Sequence, residues 1–175
     1  MSIVITIFLD KISVAWYYFN VNEFKGKVKM NFNVKIKKLN EKAIIPTYGS
    51  EFSAGADLYA LLDDALEIKP GETVLIHTGI SLEITPGYGG FIFARSGLSA
   101  KEGLRPANCV GVVDADYRGP VCVALHNDGE VVRTVTPGQK IAQLVVVPFL
   151  AVEFDEVEEL SDTVRGAGGF GSTGK

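Results

Sequence analysis

The 175-residue chain has only two cysteines, two histidines and one tryptophan. Cys109 and Cys122 form no Cys-x-x-Cys pair and no disulfide framework. Each stands among valines, where a reduced, buried, structural thiol is expected, and reduced thiols point to an intracellular, cytoplasmic setting. His77 and His126 show no paired His/Cys spacing, so nothing in the sequence supports a zinc or iron site held by the protein. A basic surplus is also missing. The formal net charge of −4 argues against a nucleic-acid partner, although a few local cations can still hold a small anion. Long apolar runs are absent too. Residues 3–9 are apolar, but Asp10 and Lys11 interrupt them and no basic region precedes them. That is too short to span a bilayer and poor as a signal peptide, so no membrane partner is expected. No helical period and no solenoid-length repeat runs through the chain.

What remains is 47% hydrophobic and large enough to bury one core. Short β-type runs fall at 32–38, 73–84 (broken near Thr78-Gly79), 91–94, 109–113, 121–125, 131–135, 141–148 and 151–154. Lys69-Pro70-Gly71, Thr85-Pro86-Gly87, Asn127-Asp128-Gly129 and Thr136-Pro137-Gly138 punctuate them. Frequent short strands with such turns predict an all-β sandwich, jelly roll or barrel. One short helix is expected at 99–104. The reading divides the chain into an N-terminal extension (1–30), a β domain (31–160) and a Gly-rich C-terminal arm (161–175). The strand pattern starts at Met30, which favours residues 1–29 being dispensable and translation starting at Met30. The competing expectation is an added strand or interface, since Trp16, Tyr17, Tyr18 and Phe19 are costly to leave in water.

Five segments have the residue types for chemistry. Residues 165–175 hold five glycines around one aromatic, Phe170. A flexible end is the ordinary reading. Yet Phe170 suits stacking on a base, while Arg165, Ser172, Thr173 and free backbone N–H groups suit a polyphosphate. Residues 87–98 deliver Arg95 and Ser96 to a turn at Gly97, where a helix begins and phosphate charge is met well. The bland alternative is an exposed Arg and an N-cap Ser. Residues 108–121 read as a hairpin with a polar tip. Asp114 follows an apolar run there as a general-base candidate, with Tyr117 beside it; ordinary turn-forming aspartates are the alternative. Asp57 sits among the small residues of Ala54-Gly55-Ala56. Gln143 lies inside an apolar strand, where a polar side chain needs a partner. The six carboxylates of 153–162 read as a solvated edge.

In order and spacing these segments resemble the five motifs of the trimeric dUTPase family. The match covers about residues 31–175, through Arg95-Ser96-Gly97, Gly111-x-x-Asp114-x-x-Tyr117-x-Gly119 and Arg165-Gly-x-Gly-Gly-Phe170-Gly-Ser-Thr-Gly. The resemblance implies a distorted jelly-roll subunit, a homotrimer with shared active sites, and hydrolysis of dUTP to dUMP and pyrophosphate. That activity limits uracil in DNA and supplies dUMP for dTMP synthesis. It also implies that Asp114 activates a water for in-line attack on the α-phosphorus, with Gln143 positioning that water or the phosphate. Asn108 and the main chain of Gly111, Val112, Val113 and Cys122 would read uracil, and Tyr117 would lie against the deoxyribose. Arg95, Ser96 and Gly97 would contact the phosphates. Arg165, Gly171, Ser172 and Thr173 would close on them, with Phe170 over the base. Mg²⁺ would be held by phosphates and waters, with Asp57 acting through water. Pro120 and Gln139-Lys140 depart from the family's commoner residues at positions given no chemistry.

A dCTP deaminase, which shares the fold, would carry a catalytic Glu in the central motif and lack the Phe arm. A nucleotide-sensing module without turnover is opposed by the intact Asp114, Gln143 and Arg165.

Overall fold

The structure, a computed structural model, describes residues 33–169. Its strands are β1 (Lys35–Lys38), β2 (Thr47–Tyr48), β3 (Ala56–Tyr59), β4 (Leu66–Ile68), β5 (Thr73–His77), β6 (Ile80–Glu83), β7 (Tyr88–Phe93), β8 (Leu104–Pro106), β9 (Gly111–Val113), β10 (Cys122–Asn127), β11 (Arg133–Val135) and β12 (Lys140–Pro148). Among the described residues one helix, α1 (Ser96–Glu102), interrupts them. The fold is all-β and jelly-roll-like, as the turn spacing predicts.

All strand pairs are antiparallel. The largest sheet runs β2-β3-β12-β7-β9, a three-stranded sheet runs β5-β10-β8, and β1-β6 and β11-β4 form pairs. Alternation explains how one core serves them. On β10, Val123 and Leu125 point inward and are buried, while Cys122, Ala124 and His126 are half-buried on the other face. Leu58, Ile68, Ile76, Ile80, Leu82, Leu104 and Ile141 complete a single apolar cluster. Removing one such Leu or Ile side chain costs about 2–5 kcal/mol. Asn127, fully buried, donates to the carbonyls of Ile68 and Val131 and accepts from Gly129 N–H, all at 2.9 Å. That satisfies its amide and locks the Asp128-Gly129 turn.

Several boundaries move. The helix expected at 99–104 runs Ser96–Glu102, because Gly103 adopts φ 73° and closes it, leaving Leu104 to start β8. The alternative in which Ser96 caps the helix is not met: Arg95 stands at the N-cap, in extended conformation and without a side-chain capping bond. The break at Thr78-Gly79 is present: Gly79 has φ 72° and separates β5 from β6. Residues 151–154 form no strand, and Phe154 is 93% exposed. Strand 109–113 shrinks to Gly111–Val113, since Cys109 takes φ 62°.

One feature of β12 matters for the site. Its pairing with β3 shifts between Lys140 and Ala142, a β-bulge. Ile141 and Ala142 are consecutively buried, whereas Lys140 and Gln143 are both half-buried. A regular strand turns residues three apart to opposite faces. The extra residue brings Lys140 and Gln143 to the same one.

Candidate active site

Asp57 is the centre of the first cluster. Arg95 Nε donates to its Oδ1 at 2.9 Å, and Lys140 Nζ reaches its Oδ2 at 2.7 Å. The carboxylate is nearly buried, while both cations keep about a third of their side-chain surface exposed. Arg95 Nη1 also donates to the Lys140 carbonyl at 3.3 Å. Asp57 beside it holds the Lys140 ammonium's pKa above its ordinary value. Two cations on one acid leave a surplus positive charge facing solvent, which suits phosphate. Sequence reasoning gave Lys140 no chemistry. Its contact with Asp57 depends on β12 lying beside β3, which no local pattern reveals.

Gln143 adjoins this cluster. In register it stands opposite Asp57 on one side and Phe93 on the other. Its Nε2 donates to the Ala94 carbonyl at 2.9 Å, which supplies the partner its apolar strand requires. Its Oε1 lies over Gly55, where an added Cβ would approach to 2.6 Å. Ser96 and Gly97 are exposed at the start of α1, directly after Arg95.

The second cluster surrounds β9, the end strand of its sheet, whose outer edge has no strand partner among the described residues. Exposed Asn108 precedes it, and its amide lies 3.5 Å from the position of a Cβ on Gly111. The predicted hairpin takes another form. Gly111–Val113 pairs with β7, whereas β10 pairs with β5 and β8, so the arms part into different sheets around the 114–120 tip. Tyr117 N–H donates to the Asp114 carbonyl at 3.1 Å, closing that tip. Asp114 is exposed, and among the described residues its carboxylate has no hydrogen-bond or ion-pair partner.

Neither thiol is the buried structural group expected. Cys109 is exposed, with Arg105 Nη1 3.9 Å from its sulfur, because its turn leaves the core. Cys122 is half-buried on the outer face of β10, 3.2 Å from His77 Nδ1. Partial burial pushes its thiol pKa up. Arg165 is exposed, and its Nε donates to the Gly168 carbonyl at 2.8 Å. Phe170, Gly171, Ser172 and Thr173 lie outside the described residues.

The two clusters do not meet within one chain. Val113 pairs with Gly90 near the start of β7, while Arg95 follows the end of β7. Five residues of extended chain separate those points, about 16 Å at roughly 3.3 Å per residue. Asp114 lies beyond Val113, on the side away from Arg95.

Comparison with known proteins agrees with both the fold and the family resemblance. The family model for dUTPase matches residues 41–174. Deoxyuridine 5'-triphosphate nucleotidohydrolase of Acinetobacter baumannii is 44% identical over 149 residues, covering 83% of this chain and 99% of that protein. The Paraburkholderia xenovorans protein of the same name is 43% identical over 147 residues, with the same coverage. Among solved structures, the Staphylococcus bacteriophage 80alpha dUTPase with dUpNHpp is 29% identical at a TM-score of 0.75, covering 82% of this chain and 99% of that one. A mutant dUTPase of S. aureus phage phi11, solved with a structural Mg(II) ion, is 27% identical at a TM-score of 0.65, with 73% and 97% covered. With a family model spanning most of its length and relatives covered almost end to end, this chain belongs to the dUTPase family.

Proposed function

We propose that the protein hydrolyses dUTP to dUMP and pyrophosphate in active sites shared within a homotrimer. The supporting observation is the division along β7: a free carboxylate beyond one end, a phosphate-suited cation cluster at the other. The backbone points that carry Asp114 and Arg95 stand about 16 Å or more apart in one chain, a span that favours a second copy supplying one of them. The nearly bare Leu150, Phe154 and Leu160, at 87–93% exposure, also favour association.

In this reading Asn108 and the open edge of Gly111–Val113, with the Cys122 main chain, hydrogen-bond uracil. Tyr117 lies against the deoxyribose and excludes a ribose 2′-OH. Asp114 takes a proton from water as its oxygen attacks the α-phosphorus, and pyrophosphate leaves. Gln143 holds the water or the α-phosphate, while Arg95, Ser96 and Gly97, joined by Lys140, neutralise phosphate charge. Arg165, Phe170, Gly171, Ser172 and Thr173 form the arm that closes the site.

Among the described residues no three His, Cys, Asp or Glu side chains converge to hold a metal. Both Asp57 oxygens are engaged by cations. These residues fit Mg²⁺ carried on the triphosphate, with Asp57 reaching it only through water. Bound there, Mg²⁺ screens phosphate charge. The reaction limits uracil in DNA and supplies dUMP.

Replacing Asp114 by Asn tests the reading, because the change is nearly isosteric. The Asp114→Asn protein is expected to bind dUTP while kcat falls by roughly two to four orders of magnitude. Near-normal pyrophosphate release would remove Asp114 from the mechanism.

A further inference from the structure

Tyr117 is 44% exposed, yet its ring is held in place. Its Oη donates to the Pro120 carbonyl at 3.0 Å, folding the ring back across its own loop. Arg118 braces that loop from the other side, with Nη1 donating to the carbonyls of Ala115 at 2.7 Å and Tyr117 at 3.1 Å. The ring lies directly on Gly119. A Cβ there would stand 2.5 Å from Tyr117 Cζ and 2.9 Å from Cε2, with Oη nearer still. Atoms do not approach so closely, so any side chain at this position must displace the ring.

Backbone conformation does not explain the glycine. Gly71, Gly79, Gly87, Gly103, Gly138 and Gly166 have positive φ, but Gly119 does not. Its backbone therefore carries no left-handed φ that would by itself demand glycine. What glycine supplies here is room for an aromatic ring.

We infer that Gly119 is a specificity-determining residue that acts by positioning Tyr117. The inference rests on the reading that Tyr117 faces the sugar. With alanine at 119, the ring must shift off its seat, which draws its Oη away from the Pro120 carbonyl. The wall that excludes a 2′-hydroxyl then goes with it. The chemistry at the α-phosphorus is untouched, so selectivity changes more than turnover of dUTP.

The test measures kcat and KM for dUTP and UTP, together with thermal unfolding, in four full-length proteins. These are the wild type, Tyr117→Ala, Gly119→Ala and the double variant. Gly119→Ala is expected to raise the UTP-to-dUTP ratio of kcat/KM by about tenfold or more, the scale set by one misplaced small group. The double variant is expected to match Tyr117→Ala, because the ring through which Gly119 acts is gone. If Tyr117→Ala shifts the ratio and Gly119→Ala does not, the inference falls while the tyrosine's role stands. If neither shifts it, the reading of Tyr117 fails and the inference with it. A Gly119→Ala effect that persists in the Tyr117→Ala background also overturns it. Should Gly119→Ala alone fail to fold, recovery of folding in the double variant upholds the clash with the ring. Failure of both overturns it.

Discussion

Asp57 holds two cations at once, and removing its charge releases both. Asp57→Asn keeps the shape but leaves Arg95 and Lys140 adjacent and unneutralised. Because both remain partly in water, the expected loss of stability is modest, about 1–3 kcal/mol. Urea unfolding at low and high salt checks this, with the loss shrinking as salt screens the two cations. An unchanged midpoint at low salt would mean the cluster holds nothing together. Single residues were unevenly legible in the sequence. Gln143 announced itself, since a polar side chain in an apolar strand must find a partner, and Ala94 O is that partner. Lys140 gave no such sign, because the acid it pairs with sits on a distant segment. The cysteines were misread because valine neighbours say nothing about which face of β10, or which turn, carries a thiol.

At the scale of elements, periodicity worked where strands are long and failed where they are short. β12, β5 and β6 follow the apolar runs closely. β2, β4 and β8, of two or three residues, are too brief for a period to appear. Residues 151–154 alternate like a strand, yet alternation alone does not make one, and within the described residues they pair with no other strand. The hairpin reading failed for a related reason: flanking apolar runs show that two strands exist, not that they pair with each other. The C-terminal arm is an element that local propensity cannot evaluate. Removing residues 164–175 is expected to leave the assembly's mass unchanged, less the missing segment, and nearly abolish dUTP hydrolysis. Phe170→Ala alone is expected to lose about 1–3 kcal/mol, the usual worth of one base–aromatic stack. Light scattering and pyrophosphate release decide the matter, and full activity of the truncated protein would reduce the arm to a tail.

For the whole molecule, the bulge in β12 joins fold to site. Sheet order puts Asp57, Gln143 and the Arg95 turn on neighbouring strands, but the extra residue at 141 turns Lys140 toward the same face. The molecule therefore responds differently to two kinds of genetic change. A codon altered at 141 to give Ile141→Val keeps the residue count and costs about 0.5–1.5 kcal/mol, leaving an active enzyme. Loss of that codon, in frame, removes the extra residue and leaves a regular alternation, with Lys140 opposite Tyr59, Ala142 opposite Leu58 and Gln143 opposite Asp57. Lys140 and Gln143 then stand two apart and still share a face, but the core loses the whole Ile141 side chain, at a cost of about 2–5 kcal/mol. The in-frame deletion is therefore expected to unfold at a lower temperature than Ile141→Val while Lys140 still faces Asp57. Thermal unfolding and pyrophosphate release check this, and a deletion protein that folds as well as Ile141→Val yet lacks activity would show that the bulge itself shapes the site. Across descendants of this gene, loss of residue 141 should then be found only beside larger neighbouring side chains that refill the core.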